Sequence, residues 1–191
     1  MADTSTASRP PTTAICVRTS VVRLVKADIT AADVEAIVYY ARPNLALGSG
    51  FGNAIARRGG GAIKKELDRF AEVRVTDAVV TSAGTLNAKH IIHAVGPVFQ
   101  EPDLEQKLRA TIVNALRLAD QQGFCQIAFP PMGAGFYGVP LSVCADVMLS
   151  TLAGYLSNTT SIREVIICAN DAREYKVFEA RLAATTPASC R

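Results

Sequence analysis

The chain has no tryptophan, only two histidines and no CxxC pair. Its five cysteines, Cys16, Cys125, Cys144, Cys168 and Cys190, share no metal-ligand spacing with His90 or His93. That argues against a zinc site, and no metal or cofactor is expected. Cys125, Cys144 and Cys168 fall in apolar periodic segments and read as small core residues of a reduced, cytoplasmic protein; the nucleus is the alternative in a eukaryote. No apolar run approaches the about 20 residues that a membrane-spanning helix needs, so no membrane role is expected. The formal charge is only +3 and the basic residues are scattered, which leaves no stripe for nucleic acid. The segment from Met1 to Ala14 is rich in Thr, Ser, Ala and Pro and lacks the apolar stretch of a secretion signal; it reads as a flexible tail.

What remains is enough for one globular domain. Hydrophobic residues make up 49% and charged residues 19% of 191 positions, so a sizeable core is expected. The expected division is a tail over 1–18, a domain over 19–184 and a short tail over 185–191, in a chain read as a monomer.

Strand-like and helix-like segments alternate. Val21–Lys26, Ala36–Tyr40, Ala78–Thr81, His90–Val95, Gln126–Phe129 and Glu164–Ala169 are short apolar or alternating runs that predict strands. Leu104–Gln122 carries Leu108, Ile112, Val113, Leu116 and Ala119 at helical spacing and is closed by Gly123. Helices are also predicted over Ala54–Arg58, Ala62–Arg69, Pro140–Leu156 and Ala172–Leu182. The alternation predicts an α/β fold with helices on both faces of a mixed or parallel sheet.

Two glycine-rich loops stand out: Leu47-Gly48-Ser49-Gly50-Phe51-Gly52-Asn53 and Pro131-Met132-Gly133-Ala134-Gly135-Phe136-Tyr137-Gly138. Each follows a strand and leads into a helix. A parallel sheet gathers such loops at the carboxyl ends of its strands, where glycine lets main-chain N–H groups approach an anion and helix starts add positive potential. The pair predicts a cleft for a diphosphate-bearing, nucleotide-like ligand. Gly133 to Gly138 also fits G-x-G-x-x-G, but it lies late in the chain, with no acidic strand end about 20 residues on, so a dinucleotide-dependent oxidoreductase is disfavoured. Neither loop has the Gly-Lys-Ser/Thr of a triphosphate-binding loop. His90 and His93 lie on opposite faces of one strand and are assigned structural roles.

Four further blocks, in order, carry a family resemblance. Lys26-Ala27-Asp28-Ile29-Thr30 resembles G-D-I-T, and Val34-Glu35-Ala36-Ile37-Val38 resembles V-D-A-I-V. The segment from Gly84 to Pro97 resembles G-x-L-x-A-K-x-V-I-H-x-V-G-P, and that from Ile127 to Pro140 resembles I-A-F-P-x-I-G-x-G-x-Y-G-x-P. Over about Val21 to Leu182 the chain resembles a macro domain, the module that recognises ADP-ribose. Gly52-Asn53, Arg57-Arg58-Gly59-Gly60 and Leu116–Asp120 look closest to the macro domain of the histone variant macroH2A.

The resemblance implies a three-layer α/β/α fold with a mixed, largely parallel central sheet, and ADP-ribose or ADP-ribosylated protein as partner. It places Asp28 at the adenine amine with Ile29 beside it; a helix-capping role is the alternative. Gly48, Ser49, Gly50, Phe51, Gly52 and Asn53 would wrap the diphosphate and distal ribose from one side. Gly133, Ala134, Gly135, Phe136 and Tyr137 would do so from the other, with core packing as the alternative for the aromatic rings. Asn170 stands where an adenine-stacking aromatic is common.

The chain also departs from the hydrolytic pattern. Where many hydrolytic members carry N-A-A-N, it has Tyr39-Tyr40-Ala41-Arg42, and Gly52 replaces an Asp. Arg42 cannot act as a general base; it would pair with a phosphate or a carboxylate, or point to solvent. Asn44 would bond a ribose hydroxyl or cap the turn after Pro43. The pattern favours binding without turnover. The alternatives are an ADP-ribosyl hydrolase acting on esters, ADP-ribose-1''-phosphate or O-acetyl-ADP-ribose, and a poly(A) or RNA module that the mild charge disfavours.

Overall fold

The computed structural model describes residues 13–48 and 50–184. Ser49, much of the expected N-terminal tail and the whole C-terminal tail lie outside the described residues.

Seven strands form one sheet: β1 (Thr13–Val17), β2 (Ser20–Lys26), β3 (Ala36–Ala41), β4 (Ala78–Ser82), β5 (His90–Val95), β6 (Gln126–Phe129) and β7 (Glu164–Ala169). Their order is β1-β2-β7-β6-β3-β5-β4. The five inner strands run parallel, and β1 and β4 close the two edges antiparallel. The sheet is therefore mixed and largely parallel, as the sequence predicts. Strand β1 falls within the segment expected to be tail: Ile15 is buried, and Thr13 to Val17 pairs residue by residue with Leu24 to Ser20.

The parallel register follows from the composition of β3. All six of its residues are buried, so both faces must be covered. Ala36, Val38 and Tyr40 face one core, with Leu108, Ile112 and Leu116 of α3 (Leu104–Gln121), Met148 and Leu152 of α4 (Leu141–Leu156), and Phe178 of α5 (Ala172–Ala184). Ile37, Tyr39 and Ala41 face the other, with Ile55 of α1 (Phe51–Gly59) and Ile63 of α2 (Gly61–Leu67). This makes three layers, helix, sheet and helix, with a period of two along the central strand.

Two glycines set the turns. Gly84, between β4 and β5, has φ +60, and a Cβ there would lie 1.9 Å from the Gly59 carbonyl oxygen, so no other residue fits without backbone movement. Gly123 has φ +73 and ends α3, as expected. Cys144 and Cys168 are buried, but Cys125 is exposed because it lies between that left-handed turn and β6, outside the apolar period. Cys16 is disulfide-bonded, so the expectation of an all-thiol chain does not hold. No helix among the described residues is long and apolar enough to cross a membrane.

Candidate functional site

The loops that leave β2, β3, β6 and β7 meet at the carboxyl ends of these parallel strands. They enclose a cleft of about 470 Å³. Ala27, Asp28 and Ile29 line one end with Cys168, Asn170 and Glu174; Gly50, Phe51, Gly133, Gly135, Phe136 and Tyr137 form the two long walls; Tyr39 and Tyr40 come from near the carboxyl end of β3. The two glycine loops are thus brought together.

The first loop enters α1 through Gly50, whose φ is +51. In the second loop Gly133 has φ +75, and a Cβ there would crowd Val139 and the Tyr40 ring. That loop is closed by the Val139 amide bonding the Gly133 carbonyl at 3.0 Å. By contrast, the amides of Gly135, Phe136 and Tyr137 in the second loop, and of Gly50 and Phe51 in the first, donate to no described residue. N–H groups without a described partner, on residues that line one cleft and with two of them at a helix start, suit an anion.

At the β2 end, Asp28 holds its own chain together. Its Oδ1 accepts from the Thr30 amide at 2.9 Å and from the Thr30 hydroxyl at 2.7 Å, capping a single 3-10 turn over Ile29–Ala31. Its Oδ2 pairs with Arg58 of α1 at 2.5 Å. Partial burial pushes the Asp28 carboxyl up, but these bonds outweigh it and the group stays below the usual carboxylate range. The capping role is therefore present, and the same carboxylate borders the cleft. Nearby, Glu174 accepts from the Asn170 amide at 2.7 Å while Asp171 caps α5.

The opposite end is aromatic. Tyr40 donates to the Pro97 carbonyl at 2.5 Å and packs edge-on to Tyr137, 4.7 Å between centroids. Tyr39 stands on the other face of the strand, edge-on to Phe51 at 5.5 Å and to His93 at 5.8 Å. Burial pushes the Tyr39 phenol up to about 12, with Tyr137 adding and Arg42 opposing. It is a neutral donor at physiological pH. Arg42 lies over the Phe136 ring, 4.7 Å from its centroid.

Arg42 and Asn44 line a neighbouring cavity of about 470 Å³ that shares Phe136 and Tyr137 with the cleft. Asn44 caps its turn, accepting from the Ala46 amide at 3.2 Å. Gly48, Gly52, Asn53 and Ala134 are not in the cleft wall: Gly52 is buried over Tyr39, Asn53 is exposed, and Ala134 packs on the core. The sequence reading did not include Tyr39, Tyr40, Pro130, Pro131, Cys168 or Glu174 among the lining residues. A β3 buried on both faces hides which of its side chains reach the strand end. His93 is buried, with Nε2 2.9 Å from the Thr81 hydroxyl and burial lowering its pKa to about 4.

Comparison with known proteins matches this architecture. The macro domain family profile covers residues 41–148. An uncharacterized protein of Saccharolobus solfataricus is 41% identical over 160 residues, spanning 82% of this chain and 89% of that protein. A macro domain-containing protein of Caldanaerobacter subterraneus is 36% identical over 163 residues, spanning 82% and 93%. Among solved structures, the Oceanobacillus iheyensis macrodomain with ADP superposes with a TM-score of 0.87 at 26% identity, covering 91% of this chain and 96% of that one. The Trypanosoma brucei macrodomain in complex with ADP-ribose gives 0.80 at 25% identity, covering 84% and 68%. The chain belongs to the macro domain family.

Proposed function

We propose that the cleft binds ADP-ribose, free or carried on a protein, and holds it without hydrolysis. The observation that carries this reading is the set of unpaired amides on two facing glycine loops, at Gly50 and Phe51 and at Gly135, Phe136 and Tyr137. Such donors suit a diphosphate, because among the described residues no Arg or Lys side chain lines the cleft itself. The ADP and ADP-ribose bound to the two solved relatives support the same ligand class.

The orientation follows from the two ends. Adenine lies at Asp28 and Ile29, its amine donating to the carboxylate, with Asn170 at its edge. The distal ribose lies toward Tyr39, Tyr137 and Arg42. Strands β2 and β3 are three sheet positions apart, about 14 Å at ordinary strand spacing, which suits a ligand with a base at one end and a sugar at the other.

Absence of turnover follows from the chemistry at the ribose end. Water activation needs a base within reach of the anomeric carbon. The carboxylates that line the cleft, Asp28 and Glu174, both belong to the adenine end. At the other end the Tyr39 phenol keeps its proton, and Arg42 can only donate. Isothermal titration with ADP-ribose should show saturable one-site binding, and incubation of an ADP-ribosylated protein with micromolar protein should leave the label in place. Gly135 has open space around its Cβ, so Gly135→Glu should fold normally and weaken binding by more than about 100-fold through charge repulsion. No heat at millimolar ADP-ribose refutes the reading; released ADP-ribose favours the hydrolase.

A further inference from the structure

We propose that Tyr39 is a ligand-contacting residue of the cleft, its phenol O–H donating to an oxygen at the junction of the diphosphate and the distal ribose. The inference rests on the ADP-ribose reading above and deepens it.

Tyr39 and Tyr40 are adjacent in sequence and opposite in their fates. The Tyr40 hydroxyl is committed to the Pro97 carbonyl, and its ring fills the space over Gly96. The Tyr39 hydroxyl makes no hydrogen bond to a described residue, although the side chain is almost wholly buried and lines the cleft. A donor in that position is favourable only if the ligand or water completes it.

Its position is fixed on several sides. Phe51 and His93 hold the ring edge-on, so the phenol points along one line toward the start of α1. At the end of that line stands Gly52, where a Cβ would come within 2.4 Å of the Tyr39 oxygen. Gly52 therefore leaves room for this hydroxyl beside the turn whose neighbouring residues, Gly50 and Phe51, line the cleft. Two of the departures from the hydrolytic pattern, at Tyr39 and at Gly52, are one physical change. Tyr39 fills the space that a side chain at 52 would take, and a carboxylate there would have to displace it. A phenol is protonated at physiological pH, so it donates to an anion instead of repelling it.

The test is isothermal titration of the full chain with ADP-ribose and with AMP, which lacks the second phosphate and the distal ribose. Tyr39→Phe removes one oxygen and should weaken ADP-ribose by about tenfold or more, the scale of one hydrogen bond to a charged oxygen, with AMP affinity unchanged. Gly52→Ala is the second variant: its methyl displaces the phenol from its place and should give the same selective loss. ADP-ribose affinity within twofold of wild type in both variants overturns the inference. Equal weakening of ADP-ribose and AMP also overturns it, since that marks general damage to the cleft. Failure of the unaltered chain to bind ADP-ribose removes the reading of the cleft and this inference together, whereas loss of the contact alone leaves that reading standing.

Discussion

The two ends of the cleft are built on different terms. At the β2 end the polar groups already serve the chain: Asp28 caps a turn and pairs with Arg58, and Glu174 caps the Asn170 amide. At the β3 end the walls are rings, and a phenol and a guanidinium stand where the hydrolytic pattern has amides. The first end is ordered by its own hydrogen bonds before a ligand arrives, which lowers the cost of binding a base there. The second is ordered by packing, leaving hydroxyl and amide donors open. In the proposed orientation, recognition of the base is thus tied to local stability, whereas recognition of the sugar is tied to the core beneath β3.

Acid should act most strongly at the β3 end. His93 packs under Tyr39, and its pKa is lowered from 6.5 to about 4 by burial, with Glu66 partly opposing. A depressed histidine pKa means that the unfolded chain binds the proton more readily. The stability it contributes is full above pH 6.5 and is lost as pH falls toward about 4, by roughly 3 kcal/mol in all. Denaturant titrations across that window should show this slope, and His93→Gln should flatten it. An unchanged slope in the variant would contradict the assignment to His93, because the Asp28 and Asp120 carboxyls, which hydrogen bonds hold below their ordinary range, act only at lower pH.

A smaller effect is expected at the other end. The Asp28–Arg58 pair is about half exposed on both side chains, which makes it worth little by itself. The cap on the 3-10 turn is worth about 1 kcal/mol. Asp28→Ala should therefore cost about 1 kcal/mol of stability in urea titrations. It should weaken AMP and ADP-ribose by the same factor, roughly tenfold, because both carry the adenine. Tyr39→Phe, by contrast, should discriminate between those ligands. If Asp28→Ala also discriminates, the assignment of the two ends is reversed.

Much of this was legible before the structure. The glycine loops, the blocks around Asp28 and His93, and the alternation of strands and helices all announce themselves through local chemistry: turn residues, periodicity and apolar runs. Gly50, Gly133 and Gly135 could be named for that reason, whereas Asp28 was named only through the family resemblance of its block. Contacts made across the fold could not. Arg58 reaches Asp28 from 30 residues away, and Glu174 reaches back to the strand end from inside a helix. The facing of Tyr39 and Tyr40 was hidden because β3 is buried on both sides and gives no polar alternation to orient it. Likewise Gly52 reads as one more loop glycine until the Tyr39 oxygen is seen in the space its side chain would fill.

The most direct measurement is a crystal structure of the chain with ADP-ribose. The account predicts adenine against Ile29 with its amine on Asp28, phosphate oxygens on the amides of Gly50, Phe51 and Gly135, and the distal ribose beside Tyr39 and Tyr137. A ligand lying in the neighbouring cavity of Asn44 and Phe99, or running the opposite way with its base on Arg42 and Phe136, would contradict it.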